Sequence, residues 1–311
     1  MKTIAQFVQS GISTPADLKD ALQTAIRLEF ATIPPYLCAQ WSINADPSGV
    51  GDTIQNIAVQ EMSHFALAGN MLSAIGAVPD IANATFMPTY PTSELPGGIA
   101  QKLPVDLKPL SRDQLQVFMQ IETPEFPPVA LAPRAPGPAT IGEFYDTIAT
   151  GFTTVQPAIN PNAKFVTMGE ATPITSVSDA QNAIALIKAE GEGTPGSPDQ
   201  PPTDAGQIAH YYKFKEIFVG KTLVQTGGKW SFTGPAIQFP TVFNFARSTK
   251  IPSPSLQFNQ AMSQFLIGLR ACWTTGGDPS MTDMFNLQTL GQALIATGVL
   301  PEFVWAPPSP A

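Results

Sequence analysis

The chain has 311 residues, 43% of them apolar and only 13% charged, with 32 prolines and a formal net charge of −8. The apolar share supports a real core and excludes global disorder. The negative charge and the lack of any Lys/Arg cluster argue against nucleic acid and anionic membranes as partners. The first twenty residues lack the continuous apolar core of a signal peptide, and no run approaches the roughly 18 apolar residues of a membrane helix. Cys38 and Cys272 form neither a C-x-x-C pair nor a zinc pattern and read as buried thiols. The expected address is the cytoplasm.

The first long helix has a well-marked start. Ser13 or Thr14 can cap it, Pro15 fits its first turn, and Asp17 favours the positive end of its dipole. Leu18, Leu22, Ala25, Ile26 and Ile33 form its apolar stripe, and Glu29 falls in the middle of that stripe. Lys19 and Arg27 lie off the stripe, so no local cation neutralises Glu29. Pro34 and Pro35 predict a kink near Cys38 to Trp41.

The second helix repeats the oddity. Ile54, Ile57, Ala58, Phe65, Ala68, Leu72 and Ile75 recur at helical spacing, and Glu61 and His64 share their stripe. A buried carboxylate needs a proton, a cation or a metal, because a bare charge is costly to desolvate. Glu61-Met62-Ser63-His64 is also the E-x-x-H half-site of di-iron carboxylate bundles, whose Glu and His share one helix face. The bland alternative is a core His hydrogen-bonded to Glu.

A Pro-rich stretch follows, from about Val78 to Pro138, with a short helix expected over Ser111 to Ile121. Thr140 opens a further helix whose apolar set is Ile141, Phe144, Tyr145, Ile148 and Phe152, and Val177 to Glu190 reads as another. Thr194 to Asp204 is irregular. Helix is expected again over Ala205 to Gly220, with Gln207, His210, Tyr211, Phe214, Ile217 and Phe218 on one face. Turns and short apolar runs fill Lys221 to Pro254, and two late helices cover roughly 255–273 and 278–297 before a Pro-rich tail.

The segments LEFATIPPYLCAQWSI, IQNIAVQEMSHFALAGNMLSAIGAVP, TIGEFYDTI, LIKAEGEGT, IAHYYKFKEIFVG and FNQAMSQFLIGLRACWTTGG resemble the ferritin-like family that contains the iminophenyl-pyruvate dimer synthase domain, found in violacein and rebeccamycin-type biosynthesis. The resemblance implies an all-α, ferritin-like four-helix bundle with long Pro-rich insertions and additional C-terminal helices. It implies one domain over 1–311, with core helices near 14–43, 52–76, 140–152 and 178–218. Ferritin-like di-iron sites use four carboxylates and two histidines. The resemblance implies that Glu29, Glu61 with His64, Glu143, and Glu192 with His210 fill those places, using both histidines of the chain.

Three positions depart from the family pattern. Ala189 stands where a carboxylate is common, and Glu190 is extra. Periodicity favours Glu190, which extends the Ala183/Ile187 face, whereas the resemblance favours Glu192. Gln207 stands where a bundle would place a Glu three residues before the last His. Glu143 lies off its helix's apolar stripe, so a solvated helix-start Glu is its alternative. Tyr36, Gln60, Tyr145, Tyr211 and Tyr212 are candidate supporting donors.

Oxygen and imidazole donors without cysteine suit iron, two ions, or manganese. Such a site suits an O2-dependent oxidoreductase acting on a small metabolite; the resemblance implies secondary metabolism, an amino-acid-derived or aromatic substrate, and oxidative imine coupling as the specific form. The alternatives are a ferroxidase without organic substrate and a metal-free scaffold. A homo-oligomer is compatible with each.

Overall fold

Helix caps written into the sequence start most of the described helices. The computed structural model describes residues 2–99, 103–125, 139–200 and 207–308. In α1 (Ile4–Ser10), Thr3 Oγ1 accepts from Gln6 N–H and Gln6 Oε1 accepts from Thr3 N–H, a capping box. Thr14 caps α2 (Pro15–Trp41) through Asp17 N–H, with Pro15 in the first turn. The helix continues through Pro34 and Pro35 to Trp41. Pro35 has no N–H to give to Ala31 O, and Tyr90 Oη donates to that oxygen instead, at 2.6 Å. The freed carbonyl therefore keeps a partner inside the core.

After β1 (Ile43–Ala45) comes α3 (Val50–Ala74), and a long crossover leads to α4 (Arg112–Ile121), capped by Ser111 as expected. The remaining helices are α5 (Ile141–Val155), α6 (Val177–Glu192), α7 (His210–Val219), α8 (Leu256–Thr275) and α9 (Met281–Ala296). Strands are few among the described residues: β2 (Val224–Thr226) and β3 (Lys229–Ser231) form a hairpin, and β4 (Thr241–Val242) pairs antiparallel with β1, Ile43 opposite Val242.

Side-chain contacts fix the directions of the helices. Thr32 meets Glu61 and Gln40 meets Gln55, so α2 and α3 are antiparallel. Tyr36 touches Phe118 on α4, Glu29 accepts from Tyr145 on α5, and Leu18 lies against Gly151 further along α5. Together α4 and α5 thus run down α2 as one interrupted helix. On the far side, His64 meets Glu190 on α6 and Gln60 meets His210 and Lys213 on α7, so α6 and α7 run up α3 as a second interrupted helix. Gln181–Thr153, Lys188–Asp146 and Phe118–Phe214 close the ring antiparallel. The result is a four-helix bundle in which one long crossover joins parallel helices, α3 and α4–α5.

Both interrupted helices break at the same level. Above the break, Tyr36, Phe118 and Phe214 pack with ring centroids 4.6–5.1 Å apart. Such aromatic contacts are each worth about 0.5–1.5 kcal/mol beyond area burial. Below it, Leu18, Leu22, Phe144, Ile148, Phe152 and Ile184 belong to the main core. On the outer face of α2–α3 lies the α8–α9 hairpin, with Trp273 Nε1 donating to buried Asn70 Oδ1 at 2.8 Å.

The helix expected over 205–220 begins only at His210. Ile208 is bridged to Asp199 and Ala209 is extended, which leaves Gln207 exposed and off the helix. Residues 126–138 of the expected Pro-rich stretch, 201–204 of the expected irregular segment, 205–206 of the expected helix, and the end of the Pro-rich tail beyond 308 lie outside the described residues.

Candidate metal centre

Six buried side chains converge where the two interrupted helices break. Glu29 comes from α2, and Glu61 and His64 from α3, one turn apart on one face. Glu122 is the C-cap of α4, Glu190 lies in the last turn of α6, and His210 is the first residue of α7. Glu29, Glu61, Glu122, Glu190, His64 and His210 are all at least nine-tenths buried.

The centre divides into two matching halves. In one, His64 Nδ1 stands 3.7 Å from Glu29 Oε2 and 3.8 Å from Glu61 Oε1. In the other, His210 Nδ1 stands 2.9 Å from Glu61 Oε1 and 3.7 Å from Glu122 Oε2. Glu29–Glu61–His64 and Glu61–Glu122–His210 therefore each bring three donor atoms together, with Glu61 common to both. The imidazole rings lie 5.7 Å apart, centroid to centroid.

The supporting bonds repeat in each half. Tyr145 Oη donates to Glu29 Oε1, and Tyr36 Oη donates to Glu122 Oε1 at 2.5 Å. His64 Nε2 lies 2.6 Å from Glu190 Oε2, and His210 Nε2 lies 3.2 Å from Gln60 Oε1. An Nε2–H donated outward leaves each Nδ1 lone pair facing the centre, the arrangement that orients ligating histidines. Thr32 Oγ1 donates to Glu61 Oε2 at 2.9 Å.

Electrostatics reflect crowded carboxylates. Burial, then the nearby Glu122 charge, push the Glu61 carboxyl up to about 7. Burial opposes a charge on His64, but bonds to Glu190 and Glu29 and the charge of Glu61 outweigh it, so its pKa rises well above the ordinary imidazole value. Burial likewise opposes a charge on His210, and Glu122 and Glu61 raise its pKa. Burial, then carboxylate neighbours, hold both Tyr36 and Tyr145 protonated.

The residues fit a metal ion. His210 Nδ1 and Glu190 Oε1 are buried without an aligned hydrogen-bond partner, although native interiors satisfy nearly all such atoms. The oxygen and imidazole donors match iron or manganese.

Four of the six residues expected to ligate, Glu29, Glu61, His64 and His210, are brought together here. Glu143 is not among them. It closes the capping box of α5, its Oε2 accepting from Thr140 N–H at 2.9 Å while Thr140 Oγ1 accepts from Glu143 N–H. The T-x-x-E pattern before an apolar run is the sequence signal for that role. The Glu192 side chain lies outside the described residues, and Glu190 occupies the centre, as the Ala183/Ile187 periodicity favours. Glu122 was not anticipated. It continues the Leu115–Phe118 stripe by one more turn, the same signal that marks Glu29. Gln207 is exposed and plays no part in the cluster, while Tyr211 and Tyr212 pack in a separate small core.

No helix among the described residues is long and apolar enough to cross a membrane. No curated protein matches the chain. Its fold is similar to the crystal structure of a ferritin-like protein from Caulobacter vibrioides, with 22% identity, a TM-score of 0.71, and 94% of this chain and 99% of that chain covered. A family model described as Ferritin-like matches residues 22–219. That match spans more than half of the sequence and takes in all six centre residues: the chain belongs to the ferritin-like family.

Proposed function

We propose that the chain is a non-haem di-iron oxidoreductase that uses O2 on a small organic metabolite. The observation that carries this reading is the pair of three-donor groups sharing Glu61. Glu29, Glu61 and His64 would hold one ion and Glu61, Glu122 and His210 the other, with manganese the alternative metal. Two Fe(II) ions bound there would supply electrons for reducing O2. The chain's own residues do the rest. Tyr145 and Tyr36 hold the terminal carboxylates, Glu190 and Gln60 set the imidazole tautomers, and Leu28, Ile121, Ile141 and Ile187 ring the approach with apolar surface.

The finer assignment rests on the resemblance of the motifs around Glu29, Glu61 and His64 to the iminophenyl-pyruvate dimer synthase type. It gives an amino-acid-derived or aromatic substrate in secondary metabolism and oxidative imine coupling as the reaction. We read the whole of 1–311 as one domain, because α8 and α9 pack directly on the bundle. A reducing cytoplasm suits the two buried free thiols, Cys38 and Cys272.

One observation favours a second reading, ferroxidase activity without an organic substrate. The cavity beside Glu29, Glu61, His64 and Glu122 measures about 40 Å³, room for water or O2 but not for a metabolite. Anaerobic loading with Fe(II), followed by O2 with and without candidate imino acids, separates the two. Oxygen uptake coupled to product supports the oxidoreductase, and uptake matched only by Fe(III) supports the ferroxidase. No uptake above a Glu61→Ala control removes both.

A further inference from the structure

A second cavity lies on the other side of α2–α3, under the α8–α9 hairpin. It encloses about 280 Å³ and no charged side chain lines it. Phe30, Leu37, Met62, Phe65, Met262 and Leu266 form much of its wall. Methionine walls adapt to the shape of what they hold. These residues alternate with those of the metal centre: Phe30 follows Glu29, Met62 follows Glu61 and Phe65 follows His64. The cavity is thus cut off from the metal ligands by the helices themselves, and a molecule inside it would not touch them.

Its polar end is specific. Gln40 Nε2 donates to Gln55 Oε1 at 3.5 Å. Gln40 Oε1 is buried without a partner, and Gln40 is the one cavity-lining residue, among those described, with such an atom. A buried acceptor left unpaired is unfavourable, and a chamber that is apolar apart from the amides of Gln40, Gln55 and Gln288, with one unmet acceptor, selects a ligand with one donor. At the mouth stand Val59, Met281 and Phe285, 43%, 54% and 62% exposed, which give access from solvent.

We propose that this chamber is a binding site for an uncharged small molecule. The ligand has an apolar body of one or two rings and a single O–H or N–H directed at Gln40 Oε1. The inference does not depend on the metal reading. Charge excludes carboxylates, since nothing in the wall would pair with one.

The test uses the purified full chain and three probes of one shape, 2-naphthol, naphthalene and 2-naphthoate, by equilibrium dialysis. We expect 2-naphthol to bind once per chain, naphthalene about tenfold more weakly for want of one hydrogen bond, and 2-naphthoate not at all. Gln40→Leu should remove the naphthol preference while naphthalene still binds. Met262→Trp should fill the chamber and abolish binding of both, with metal content and helical circular dichroism unchanged. Three results would overturn the proposal. Wild type fails to bind 2-naphthol; binding survives Met262→Trp; or the tenfold preference survives Gln40→Leu. Sedimentation velocity adds the competing occupant: a dimer that dissociates on Phe285→Ser and binds no probe would make this face a contact between copies.

Discussion

Two faces of the same helix pair do opposite things. On α2, Glu29, Thr32 and Tyr36 turn toward the carboxylate–imidazole centre, while Phe30, Ile33 and Leu37 line the apolar chamber one residue away. On α3, Glu61 and His64 face Met62 and Phe65 across the same backbone. Both faces are buried, but they are held by different physics. The polar face depends on direction: each donor atom has one useful orientation, set by a supporting bond, and a displaced group leaves a buried charge unpaired. The apolar face depends on volume, which methionine and leucine can redistribute. Single changes should therefore act as switches on one face and as graded losses on the other.

The largest effect should come from the shared carboxylate. Glu61→Ala should lower metal content from two ions per chain to near none, a loss of affinity greater than the roughly 100-fold that follows removal of a supporting group. Plasma mass spectrometry of iron-loaded protein checks it. If one ion is retained in full, Glu61 does not join the halves.

Next is acidity. Each imidazole must be neutral to ligate, and both have raised pKa values, so protons compete from a higher pH than for a free imidazole. Metal affinity should fall by up to about tenfold per pH unit for each histidine protonated. The metal-free protein should respond with the opposite sign. A raised folded pKa means stability present at low pH and lost as pH rises through it. With Glu61 at about 7, apo stability should increase as pH is lowered through neutrality. Urea melts of apo and loaded protein at several pH values test both slopes.

Tyr145→Phe and Tyr36→Phe sharpen the comparison between the two halves. Each should weaken one ion about 10–100-fold and leave the other near its wild-type affinity. Competition with a chromogenic chelator would reveal equal weakening of both ions if the halves are not separable.

On the opposite face the losses should appear in stability alone. A Cβ at Gly69 would lie 2.3 Å from Trp273 Cζ2, so Gly69→Ala should cost about 1–3 kcal/mol through overpacking with metal content intact. The smallest effect is expected for Glu143→Ala. Losing one arm of the α5 capping box should cost about 1 kcal/mol and no metal. Metal loss there would return Glu143 to the centre as a ligand.

Much of this arrangement was legible in the chain itself. Apolar stripes broken by Glu29, Glu61 and His64 marked the buried polar face, and Thr14, Pro15 and Ser111 marked two helix starts. The same stripe logic favoured Glu190 and extends to Glu122, but the expected helix stopped at Ile121, in a Pro-rich region where the resemblance supplied no motif. Glu143 misled because its type and position suited a ligand, while its local T-x-x-E pattern described a cap. Gln207 misled because three-residue spacing has meaning only on one helix, and the helix begins at His210.

The sequence by itself therefore determined the all-α class, the helix faces and which side chains had to be buried, because periodicity and capping are local properties of the backbone. Tertiary structure alone decided that two helices break at one level, that Glu122 and Glu190 meet the histidines there, and that Tyr36 and Tyr145 hold matching carboxylates. Those contacts join residues up to 126 positions apart. Nothing in local geometry encodes such a distance; the packing of whole helices does.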